Sequence, residues 1–306
     1  MRPSLNRSIP RLVFAVLGIG WQPIHADTSG ADYLMSEEQE AEVYTEELKQ
    51  AWQLFRGDDP GGASKVFKQV AEAKDAQPSD RMQALFGMGL SYEFIPPEPQ
   101  VDNAKKAFQD LIKEFPENFL VPWVLLELGK LSFHKTANLD YWNNTIDNQE
   151  ARRYFRRILE DYPKSIAIHE AAVRLSNTYC FEVDRPESDW ALEILQNHLK
   201  EHPDNPLAAG MHLLLTIWHS SITQDHEAAA PHAIRLGELQ QSNPYRWSEV
   251  YWRVASIFHK GLGDLEEASR WYRKLIEVTP DARQAFQAQK ELEKIDQKLS
   301  ARGRPQ

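Results

Sequence analysis

The sequence holds a single cysteine, Cys180, in 306 residues, so no internal disulfide framework is available and stability has to come from packing. Long apolar runs are also missing: the stretch Leu12 to Ile19 is far short of the roughly 20 residues a membrane-spanning helix needs. No glycine-rich phosphate loop, nucleophile elbow or C-x-x-C-H haem attachment occurs, which removes the common signatures of nucleotide, acyl-transfer and haem chemistry. Basic charge is in deficit, with 35 Lys and Arg against 45 Asp and Glu. The chain should therefore repel nucleic acid and anionic membrane surfaces. With only 14 glycines, no low-complexity tract and 42% hydrophobic residues, it has the composition of a folded protein with a sizeable core.

The amino terminus differs from the rest. Arg2, Arg7 and Arg11 precede the apolar stretch, and Trp21, Pro23 and Ala26 follow it, which is the order of a secretory signal peptide spanning residues 1–26. Its removal takes away three arginines and no acid, moving the balance from 35 − 45 = −10 to 32 − 45 = −13. The expected location is periplasmic or secreted, with a retained anchor as the alternative. No cysteine lies near the cleavage site, so a lipoprotein is not expected. Cys180 reads as a small buried hydrophobe, the alternative being an intermolecular bridge.

The remaining chain repeats itself. Alanine, three residues, a bulky apolar residue, seven residues and proline recur at Ala104/Phe108/Pro116, Ala151/Phe155/Pro163, Ala191/Leu195/Pro203 and Ala268/Tyr272/Pro280. Upstream lies a second signature, an apolar residue, a small one and then an aromatic: Met88-Gly89-x-x-Tyr92 and Leu175-Ser176-x-x-Tyr179, with Leu128-Gly129 and Ala255-Ser256 as looser forms. Small residues let two helices approach, aromatics fill the space beside them, and the proline stops the second helix.

These residues resemble the tetratricopeptide repeat, a helix-turn-helix unit with the pattern W-x2-L-G-x2-Y, A-x3-F, P. Ser248 to Pro280 is the best match, with Gly263-Asp264 as its turn. Prolines 116, 163, 203, 244 and 280 lie 47, 40, 41 and 36 residues apart, and the excess over the family length falls mainly at hairpin tips such as His134 to Gln149. The resemblance implies an all-α fold, a right-handed superhelical solenoid of five to six hairpins. Residues 36–299 form the repeat domain, closed by a capping helix over Ala282 to Leu299; 27–35 are a disordered linker and 300–306 a disordered tail. The fifth unit departs from the pattern, with His232 where a small residue belongs, and the first, rich in Glu, reads as a polar cap.

Catalytic lookalikes are few. His198-Leu199-Lys200-Glu201-His202 has the H-x-x-E-H order of a zinc peptidase class, but it falls on the expected surface of a second helix and has no third ligand. His212, His219, His226 and His232 read as surface or partly buried rings. Asp140, Asp147 and Asp161 are candidates for a paired-carboxylate hydrolase and equally for solvated charge. No metal, cofactor or catalytic residue is expected.

In the resembled family the first helix of each pair lines a concave surface. Carried over residue by residue, that surface takes Phe86, Leu90, Leu126, Lys130, Val173, Asn177, Arg253 and Ile257, with Arg174 beside the row and Lys260 continuing it. Trp142, in a polar insertion, is a further contact candidate. The expected function is an exported scaffold holding a protein or peptide partner in the periplasm or cell envelope, the basic residues attracting an acidic segment. A helical-repeat enzyme acting on envelope glycans and a purely structural spacer are the alternatives.

Overall fold

The structure, a computed structural model, describes residues 45–134, 148–180, 188–239 and 247–302. Among them every regular element is helical. In chain order these are α1 (Glu46–Arg56), α2 (Pro60–Glu72), α3 (Pro78–Phe94), α4 (Val101–Glu114), α5 (Val121–His134), α6 (Asn148–Asp161), α7 (Ala167–Cys180), α8 (Ser188–Glu201), α9 (Ala208–Ile217), α10 (His226–Glu238), α11 (Trp247–Ser256), α12 (Leu265–Val278) and α13 (Arg283–Arg302). Wider π-helical turns, Trp218–Ile222 and Ile257–Leu262, extend α9 and α11. The helices follow one another as antiparallel pairs, giving an all-α, tetratricopeptide-like helical-repeat solenoid. No helix among the described residues is long and apolar enough to cross a membrane.

Two compact units divide the repeats, one ending at Ile194 and one beginning at Leu195, within α8. In the amino-terminal unit the repeat alanines Ala104, Ala151 and Ala191 are buried at the helix crossings. The small residue of the first helix sits opposite. A Cβ added to Gly89 would lie 2.3 Å from the Phe108 ring, and one at Gly129 would lie 2.4 Å from Phe155. Glycine is required there because the aromatic of the same hairpin already fills the space. Ser176 occupies the equivalent position in the next hairpin, and its hydroxyl donates to the carbonyl of Ala191 at 3.0 Å, so the contact is polar instead of aromatic. In α1 of the Glu-rich first hairpin, Leu48, Ala51 and Trp52 are buried, and Trp52 packs edge-on against Phe67 at 4.9 Å.

Consecutive hairpins are also joined by polar contacts. Arg152 of α6 is buried and donates to the hydroxyl of Thr178 (3.0 Å) and its carbonyl (2.9 Å) in α7, with its guanidinium 3.8 Å over the Tyr179 ring. Lys105 of α4 pairs with Glu150 of α6 at 2.9 Å. The prolines end their helices as the sequence predicts: α4, α6, α8 and α12 stop two residues before Pro116, Pro163, Pro203 and Pro280. Two residues after each of the first three stands a short polar side chain that begins the next helix. Asn118, Ser165 and Asn205 accept from the amides of Leu120 (2.9 Å), Ala167 (3.3 Å) and Leu207 (2.9 Å).

In the carboxy-terminal unit, Ala268, Trp271, Tyr272 and Leu275 of α12 pack with Tyr251, Val254 and Ala255 of α11. Gly263 takes the left-handed conformation that ends the π turn (φ 71°), and Asp264 caps α12 by accepting from the Glu267 amide at 3.0 Å. The last helix, α13, buries Ala285, Ala288, Leu292 and Ile295 on α12 and leaves its charged face outside.

Candidate functional site

The first helices of three successive hairpins in the amino-terminal unit bring five ionisable side chains into one electrostatic cluster: Glu93 on α3, Glu127 and Lys130 on α5, Glu170 and Arg174 on α7. Helical spacing positions them. Glu127 and Lys130 are three apart and Glu170 and Arg174 four apart, so each pair shares a face. The Lys130 ammonium lies 2.7 Å from Oε1 and 2.6 Å from Oε2 of Glu127, with hydrogen-bond geometry to Oε1. Arg174 donates from Nε (3.0 Å) and Nη2 (2.9 Å) to Oε1 of Glu170. Glu127 is 3% exposed, while Lys130 and Arg174 keep 23% and 21% of their side chains in contact with solvent. Lys130 and Arg174 are thus the members of the cluster that keep the most contact with solvent.

Its titration reflects that position. Burial pushes the Glu93 carboxyl well above the ordinary carboxylate range, the neighbouring charge of Glu127 adds to the rise, and Lys130 opposes it. Oε1 of Glu93 is shut off from solvent and has no hydrogen-bond partner. Burial alone would lower the Lys130 ammonium, but Glu127, Glu170 and Glu93 outweigh it and its pKa is raised.

The residues singled out from the sequence are placed as follows. Lys130 and Arg174 both belong to the cluster, each already paired with a carboxylate of its own helix. Asn177 and Val173 are buried on α7, and Phe86, Leu90 and Leu126 are core residues, packed beneath the row instead of lining it. Arg253 is half-buried on α11 of the carboxy-terminal unit; burial lowers its guanidinium, opposed by Glu249 one turn earlier, and no hydrogen bond or ion pair reaches it among the described residues. Lys260 is exposed on the π turn that follows, and Ile257 is buried. Trp142, Asp140 and Asp147 lie outside the described residues. Asp161 makes an exposed pair with Arg157 at 3.3 Å.

The carboxylates Glu93, Glu127 and Glu170 were missed in the sequence, although the i, i+3 and i, i+4 partners of Lys130 and Arg174 were in plain view. A tally of cations alone predicts a row that attracts an acidic segment. In the structure each of these two cations meets a carboxylate of its own helix.

Five of the histidines fall in two groups of the carboxy-terminal unit. The rings of His198 and His202 lie 4.8 Å apart, with His198 buried. His212 and His232 face each other with Nδ1 atoms 3.0 Å apart, and His219 stacks parallel to His232 at 6.1 Å. Among the described residues no three His, Cys, Asp or Glu side chains are arranged to hold a metal ion.

No curated protein matches the sequence. Among solved structures the chain is similar to the crystal structure of PilW, a widely conserved type IV pilus biogenesis factor, at 14% identity and a TM-score of 0.46, over 79% of this chain and 96% of that one. The tetratricopeptide repeat profile matches residues 83–118 and 134–165, which contain the Gly89/Phe108 pair and the Ala151/Phe155 frame. The sequence match and the packing of small residues against aromatics agree in identifying tetratricopeptide repeats over these two stretches of the chain.

Proposed function

We propose that the chain is an exported scaffold that holds a protein or peptide partner in the periplasm or cell envelope, on the first-helix face of its amino-terminal unit. The observation that carries this reading is the cluster of Glu93, Glu127, Lys130, Glu170 and Arg174: five ionisable groups from three separate hairpins, still open to solvent at Lys130 and Arg174. Isolated surface pairs add little to stability, so ordering both signs of charge on one face favours recognition of a polar, two-signed segment over a purely acidic one. The signal-like order of residues 1–26 supports export. An enzyme working through two carboxylates needs both free to meet substrate. Glu127 is almost fully enclosed and bound to Lys130, which favours a binding role.

The reading is tested by placing a photo-crosslinking residue at Lys130 or Arg174, and for comparison at Arg157 on the exposed side of α6, in the exported protein. Adducts of one defined size from the first two positions, absent from the third, are expected. Equal yield from Arg157, with helical circular dichroism intact in all three, would sink the assignment of this face.

A further inference from the structure

The fifth hairpin replaces the repeat's own packing residues with imidazoles. In the register of W-x2-L-G-x2-Y its first helix reads His212-x2-Leu215-Thr216-x2-His219, and His232 stands where the other hairpins carry alanine. Thr216 is fully buried, as the small residue of this frame should be. In the structure Ala229 and Ala233 are the fully enclosed small residues of α10, and His232 lies beside them, partly buried. There it meets His212, Nδ1 of one ring lying 3.0 Å from Nδ1 of the other. His219 completes the set by lying flat against His232, the planes 5° apart. At that separation one Nδ1 carries the proton and the other accepts it, so the contact requires at least one neutral ring.

We infer that the α9–α10 hairpin is an acid-sensitive element, whose packing across His212, His219 and His232 holds while these rings are neutral and loosens when they take up protons.

The surroundings offer little to a charged imidazole. On α10 the charge that acts on His212 is Arg235, a cation, and it is itself engaged by Asp204 at 2.7 Å and Glu238 at 3.7 Å. Asp225, in the turn before α10, is the carboxylate that acts on the set, and it acts on His219. The Nε2 of His219 and the Nδ1 of His226 are buried without hydrogen-bond partners, His226 being packed against Gly261. From α11 and its π turn come Glu249, Arg253, His259 and Lys260. Glu249 acts on Arg253, and Lys260 on His259 and Glu291. Lys274 of α12 reaches α10 only to donate to the Gly237 carbonyl at 3.2 Å.

Burial therefore dominates. It pushes His212 down to about 4, with His232 and Arg235 adding to the fall, and it lowers His219 and His232 as well. A folded-state pKa below the ordinary histidine value of about 6.5 means that the opened hairpin binds more protons than the closed one. The protection is complete above about pH 6.5 and is lost as pH falls towards 4. Allowing for the partial solvent contact of these rings, the opening equilibrium should rise on the order of tenfold between pH 7.5 and pH 5.

Hydrogen exchange of the intact chain, corrected for the intrinsic pH dependence of exchange, reads this directly. Amides of α9 and α10 should lose about tenfold protection between pH 7.5 and pH 5, while those of α12 change less than twofold. In His232→Ala, which restores the alanine of the other hairpins, the tenfold loss should shrink to less than threefold. Because that variant could fail to fold, the His212 ring is also titrated by NMR in the unaltered chain, where a midpoint near 4 is expected. Unchanged protection of α9 and α10 at pH 5, or a His212 midpoint at or above 6, overturns the inference.

Discussion

The third and fifth hairpins solve one packing problem with opposite chemistry. In the third, Gly129 admits the Phe155 ring, and the crossing is filled by carbon that no pH change can alter. In the fifth, Thr216 and Leu236 stand at the places of Gly129 and Phe155, and one turn earlier on each helix His212 and His232 are bonded to each other, with His232 stacked on His219. Apolar and small side chains close both crossings, and the fifth adds partly buried imidazoles beside its own. What differs is the proton, which makes one hairpin inert and the other responsive. Single groups in the two units also respond with opposite sign. Glu93, raised by burial, takes up a proton more readily in the folded amino-terminal unit than in the unfolded chain, so its own contribution favours the folded state in acid and is lost as pH rises. The lowered histidines contribute in the other direction, favouring the folded state at higher pH.

The largest break in the comparison comes from emptying the inert crossing. Phe155→Ala should cost about 4 kcal/mol, seen as loss of hydrogen-exchange protection throughout α5 and α6 at every pH from 5 to 8. Overfilling the equivalent crossing in the sixth hairpin, Ala268→Leu, should cost about 2 kcal/mol by urea unfolding, since Ala268 is fully enclosed between α11 and α12. Glu93→Gln sharpens the contrast in sign: it should stabilise the amino-terminal unit at pH 8 and flatten its response to acid, while α9 and α10 keep theirs. An amino-terminal unit whose pH response survives that change would show that another group sets it. Asn118→Ala, which removes the side-chain bond to the Leu120 amide just before α5, should cost about 1 kcal/mol, measured as a shift in the urea midpoint. At the small end, Asp161→Asn breaks an exposed pair with Arg157 and should shift stability by less than about 0.5 kcal/mol.

The repeat frame was legible because its positions are fixed by sterics. Ala104, Ala151, Ala191 and Ala268 are all buried at helix crossings, and their prolines end the helices at a constant distance. The polar row was only half legible. Lys130 and Arg174 could be numbered from the family register, but whether a cation is available depends on which rotamer its neighbour adopts, and Glu127 and Glu170 answer that only in three dimensions. The position of His232 stood out against the frame. Its meeting with His212 and His219 did not, because a histidine in isolation reads as surface and the register of α9 is blurred by the π turn that follows it.

The small polar residues two steps beyond Pro116, Pro163 and Pro203 carry one more implication. Stop signal and start signal sit within three residues of each other, so each helical pair is delimited by its own local grammar and needs no distant contact to define where it begins. A segment cut from one such junction to the next is a cassette with matching ends. Duplication or excision at these seams would lengthen or shorten the array while preserving its reading frame of helices, a ready route by which such chains acquire different reach.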